Sequence, residues 1–168
     1  MSTNKQESPH YMTEIDVAIE WYEQSQGQNS YPFQFMALWI AFNFLYSEER
    51  VDSERGQIQK YCRREKAKLM QFNPFKNPEF KDILAVFYEA PVKTREDSGH
   101  YEERYRKICN VNLSDEKRTI ELIQTIYSVR CNLFHGNKSF SEPRDQKLVQ
   151  NSTILLREYM KQILLKKE

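Results

Sequence analysis

The chain has 168 residues, 39% of them apolar and 13% aromatic, which suits one globular domain and excludes a disordered or low-complexity segment. Four glycines and six prolines are too few turn-makers for an all-β fold and suit long helices. A formal charge of +1 supplies no global field for nucleic acid, so any such surface has to be local.

Residues 1–11 are polar, read as a flexible N-terminus without the apolar core of a signal peptide. Residues 12–168 read as one helical domain. Ile15, Ala18, Ile19 and Tyr22 fall at helical spacing and predict a first amphipathic helix that stops near Gly27. Phe35 to Tyr46 is apolar or aromatic at every position except Asn43. A helix apolar all round is a central one wrapped by its neighbours. It also falls short of the ~20 residues a membrane span needs, so no membrane association is expected.

Residues 52–70 predict one charged helix with a thin apolar face, and PEFKDILAVFYEA a shorter one. Residues 91–112 are polar and charged, and read as a surface excursion. Ser114 ahead of Asp115 and Glu116 suits a helix start by capping and by the helix dipole. That helix runs to about His135, where Gly136-Asn137 gives a stop signal. Pro143 opens a last helix. The expected architecture is an all-α bundle of about five to six helices. Cys62, Cys109 and Cys131 are odd in number and lack a C-x-x-C pair, which fits a reducing cytoplasm.

The stretch SVRCNLFHGNK, from Ser128, carries the chemistry. On a helical wheel at about 100° per residue, Leu122, Ile126, Val129 and Leu133 form one apolar stripe. Ile123, Tyr127 and Phe134 form a second, and Arg130 falls between them. A guanidinium there needs a carboxylate, a carbonyl array, an anion or an interface opening. His135 lies roughly 140° further round a continuing helix, so a second copy across a two-fold axis would complete the set. RNA cleavage needs proton transfer near neutral pH, which an imidazole supplies, and charge stabilisation at phosphorus, which a guanidinium supplies. Asn132 suits positioning a phosphate oxygen or orienting the histidine. A 2′-hydroxyl nucleophile needs no metal or other cofactor.

The RCNLFHG run resembles the R-x4–6-H signature of the HEPN superfamily, in its Apea-like branch. FMALWIAFNFLYS, about ninety residues earlier, is similar to the second helix of that branch. The resemblance implies a helical bundle that dimerises through its motif helices. For active members it implies a metal-independent endoribonuclease in toxin–antitoxin or antiviral-defence systems, with RNA as substrate and a cognate antitoxin or defence partner. Arg130 and His135 carry over as the catalytic pair. Cys131 departs from the pattern, because active members often have a polar residue there.

Each signal also has a plain structural reading. Arg130 pairs with a buried carboxylate or snorkels out of the bundle. His135 is a C-terminal histidine favoured by the dipole. Cys131 and His135 are spaced as a metal pair, but no second ligand pair accompanies them, so no metal site is expected. Asn43 must find partners as the lone amide in its helix, beneath the active cleft or between helices. Lys60 and Arg64 share a helical face within a run, Gln57 to Lys76, of six basic residues and one acidic, a solvated face or an RNA-backbone track. Lys138, just past the motif, is a further phosphate contact. The two readings carried forward are the ribonuclease and a non-catalytic HEPN-type module for nucleotide binding, protein interaction or dimerisation.

Overall fold

The computed structural model describes residues 12–94, 99–135 and 141–164, and regular structure among them is helical, with no strand. Helix α1 (Glu14–Gln26) begins on Thr13, whose hydroxyl accepts the Asp16 amide while the Asp16 carboxylate accepts the Thr13 amide. This reciprocal capping satisfies two amides that the first turn leaves without helical partners. Helix α2 (Tyr31–Tyr46) starts with Pro32 in its first turn, where a missing amide costs nothing. It packs on α1 and on the last helix, α8 (Pro143–Leu164).

The apolar run in α2 becomes the core, as its composition predicts. Phe35, Leu38, Trp39, Ala41, Phe42 and Tyr46 are buried, and only the start of the helix leaves Tyr31 and Phe33 exposed. Phe42 is the hub, with edge-on ring contacts at 5.5 Å to Trp39, 4.9 Å to Tyr46, 5.8 Å to Tyr61 and 5.8 Å to Tyr159. Such pairs each add about 1 kcal/mol beyond area burial. Trp39 in turn lies 5.8 Å from the ring of Tyr127. The aromatic cluster thus ties α2 to the helix that bears the motif, α7 (Asp115–Phe134).

Eight α-helices occur among the described residues, against the five or six expected, together with a 3-10 turn at Pro78–Phe80. Two differences account for this. The single rod expected over 52–70 is divided at Glu65, where the backbone leaves the helical region (φ −90°, ψ 31°). Its first part, α3 (Glu54–Arg64), packs on α2 and α7, while α4 (Lys66–Phe72) packs on α8 and α7. The surface excursion expected at 91–112 contains α6 (His100–Cys109), following the short α5 (Lys81–Glu89). Helix α6 buries only Ile108 and Arg104, and it is laced by Glu102–Arg106 and Glu103–Lys107 pairs. Pairs one helical turn apart support a helix without the apolar periodicity that would reveal it. None of the described helices is long and apolar enough to cross a membrane. The polar segment 1–11 lies outside the described residues.

Candidate functional site

Ser114 starts α7 by accepting the Lys117 amide, with Asp115 and Glu116 in the first turn, as the sequence predicts. The helix persists to Phe134, and His135 caps it with its amide on the Cys131 carbonyl at 3.1 Å. His135 is exposed and lies five residues, roughly 140°, past Arg130. The Gly136-Asn137 stop signal and Lys138 lie outside the described residues.

Of the two predicted stripes on α7, Leu122, Ile126 and Val129 are buried, as are Ile123 and Tyr127. Phe134, the last residue of the helix, departs from the pattern at 50% exposure. Arg130 lies between buried and open, with 26% of its side chain accessible. Its guanidinium sits 4.8 Å from the Phe134 ring centre and 5.8 Å from that of Tyr127. One Nη reaches the Glu54 carboxylate at 3.6 Å, a long contact for an ion pair. Burial works against the arginine's charge, but Glu54, with the Cys131 thiol beside it, outweighs burial and holds the pKa above that of an ordinary arginine.

Glu54 is the residue that sequence reasoning missed. It is the first residue of α3, where an acid suits the helix dipole, and that ordinary role conceals a second one. Tyr46 donates its hydroxyl to Glu54 Oε1 at 2.5 Å, and Tyr127 donates to Oε2 at 3.0 Å. Asn43 Nδ2 donates to the Tyr46 hydroxyl at 2.9 Å. Asn43, the one amide of the apolar run Phe35 to Tyr46, therefore finds its partner within its own helix, and its link to the motif runs through Tyr46 and Glu54. Burial, followed by the bond to Glu54, raises the Tyr46 pKa; burial, Cys131 and Glu54 raise that of Tyr127. Both phenols thus stay protonated donors at neutral pH. Helices α2, α3 and α7 converge on one carboxylate, and Arg130 is its outermost partner.

The other candidates divide. Asn132 is 2% exposed and donates to the Lys93 carbonyl at 2.9 Å, tying the segment after α5 to α7. Positions two apart on a helix do not share a face, so this amide is not brought together with Arg130 as the sequence reading expected. Cys131 is buried beneath Tyr127 and Arg130, where it borders the site. Lys60 and Arg64 do share a face, but both turn to Glu49, whose side chain is 4% exposed. Arg64 also meets Glu65, so two cations here face two carboxylates and the patch carries no net charge. Among the described residues no three His, Cys, Asp or Glu side chains gather as a metal site would require. No family model matches the chain, and comparison with curated proteins and with solved structures finds no significant relative.

Proposed function

We propose that this protein is a metal-independent endoribonuclease of the HEPN type, a cytoplasmic toxin or defence effector acting as a homodimer through α7. The observation that carries the reading is that Arg130 stays partly accessible and His135 exposed in the last turns of the motif helix, on different faces that a second copy would bring together. The guanidinium is held from one side by Glu54 and the Phe134 ring, with a quarter of the side chain still accessible. A fixed, charged fork at a surface can take a phosphate oxygen and stabilise the charge that grows on it.

In the reaction, an imidazole accepts the 2′-hydroxyl proton while O2′ bonds to phosphorus. The bond from phosphorus to O5′ breaks, and the departing oxygen takes a proton from the second histidine of the dimer. The products are a 2′,3′-cyclic phosphate and a free 5′-hydroxyl. His135 fills both roles across the two-fold axis, with Arg130 holding the phosphate.

One observation favours a second reading, in which the same surface is a non-catalytic module for nucleotide or protein binding. The Glu54 contact offsets the charge of Arg130, as a structural pair would. Incubation of purified wild-type and His135→Ala protein with RNA in EDTA separates the two. Cleavage by wild-type alone, undiminished by the chelator, is the expected result. Equal cleavage by both proteins means contamination and ends the catalytic reading, and loss of cleavage on chelation ends the metal-independent one.

A further inference from the structure

Helix α2 carries no charged residue, and a helix apolar all round belongs inside a protein. One of its faces is nevertheless left open by the described residues. Phe33, Met36, Ile40 and Phe44 recur at steps of three and four, so they line one stripe. Phe33 is 62% exposed and the other three are only partly buried, whereas Phe35, Leu38 and Phe42 on the opposite face are buried. Helices α1, α3 and α8 pack on α2 without covering that stripe.

The stripe runs into the candidate site. Asn43, three residues past Ile40 and also partly exposed, donates to the Tyr46 hydroxyl. Tyr46 donates in turn to Glu54, the carboxylate that meets Arg130. Phe134, half exposed, lies against the Arg130 guanidinium. Helix α7 offers little other surface. From Arg118 to Asn132 it is buried within its own chain, save at Glu121 and Arg130. A two-fold contact through α7 therefore has only its last turns to use, and it needs a second element to supply area.

Charge selects among the occupants of such a stripe. Helix α1, which packs beside α2, holds Glu14, Asp16, Glu20 and Glu23 and no lysine or arginine, a poor neighbour for an anionic bilayer. A second copy of the chain fits better. Near a two-fold axis a residue faces its own twin, so a charge there repels itself, and α2 supplies none. We propose that a second copy seats on the α2 stripe, centred on Ile40, so that the Arg130 ends of the two α7 helices open into a shared cleft. The cleft rests on the two-fold ribonuclease reading, but the seat is a statement about association, and the two fail separately.

The test is sedimentation equilibrium of the full chain at several concentrations, with thermal melts to confirm folding. Phe33→Glu changes an exposed side chain on the stripe, and Val111→Glu makes the same kind of change at a 78% exposed valine between α6 and α7. Wild-type is expected to be a dimer. Phe33→Glu is expected to weaken it at least about a hundredfold, because a loss of about tenfold per copy is counted twice across a two-fold axis. Val111→Glu is expected to stay within about threefold of wild-type. Ile40→Glu and Ile40→Lys should each dissociate alone and associate when mixed; if either melts early, the same exchange is made at Phe33. A monomeric wild-type, a dimer indifferent to Phe33→Glu, an equal loss from Val111→Glu, or no association on mixing the folded opposite-charge forms would each overturn the seat. Histidine-dependent cleavage in any of those cases keeps the ribonuclease reading without the seat. A stripe-dependent dimer that cleaves no RNA keeps the seat and removes the ribonuclease reading.

Discussion

Glu54→Ala removes one acceptor shared by two tyrosine hydroxyls and the counter-charge of Arg130 at the same time. The three contacts differ in strength. A hydrogen bond to a charged acceptor contributes about 1.5–3 kcal/mol, and the Tyr46 hydroxyl, on a fully buried residue, has the most to lose. The Arg130 contact is long and both partners are about a quarter exposed, so it contributes no more than about 1 kcal/mol. Glu54→Ala is therefore expected to cost about 3–4 kcal/mol, a fall in Tm of about 10 °C for a chain of this size. Double-mutant cycles by urea titration at one protein concentration apportion the loss. Glu54→Ala with Tyr46→Phe should couple by about 1.5 kcal/mol or more, and Glu54→Ala with Arg130→Met by under about 1 kcal/mol. The reverse order refutes the reasoning: Arg130 would then be the main partner of a structural ion pair, and its availability to phosphate would be lost.

Two further outcomes follow from burial. Tyr46, Tyr61, Tyr127 and Tyr159 all have raised pKa values, with burial the largest cause for each. Unfolded tyrosines lose protons near pH 10 while these keep theirs, so the contribution is complete below that pH and lost above it, by about 1.4 kcal/mol per tyrosine per pH unit. Urea midpoints should be level across pH 8–9, insofar as these groups govern them, and fall steeply from pH 10; Tyr46→Phe should make the fall shallower, and an unchanged slope contradicts the account. The Cys62 thiol is buried and pushed up to about 12, so a thiol reagent should label it only on unfolding, whereas Cys109, which is partly accessible, reacts in the native protein. Native labelling of Cys62 on mixing would contradict that burial.

Legibility in the sequence followed the density of apolar pattern. The run FQFMALWIAFNFLY specifies a central helix by itself, and Ser114 through Glu116 mark the start of α7 by capping and charge. Helix α6 escaped notice because its single buried isoleucine leaves no stripe, and its stabilising pairs look like ordinary surface charge. The site was half legible. The wheel placed Arg130 beside the apolar face and so demanded a partner, but it could not name one 76 residues earlier in the chain. Glu54 gives no local sign beyond a helix-start acid, since its partners come together only after α2 and α7 pack around Trp39 and Tyr127. Lys60 and Arg64 misled for the opposite reason: the wheel set them on one face correctly, but the neutralising Glu49 comes from the turn after α2.

Tyr127 meets two consecutive residues of α3 in different ways, Glu54 through its hydroxyl and Arg55 through its ring. It also bears Arg130 at its other contact. A shift in the first turn of α3 cannot reach Arg55 without also being felt by the carboxylate that holds Arg130. Displacing either guanidinium therefore disturbs the ring of the same tyrosine whose hydroxyl is donated to Glu54.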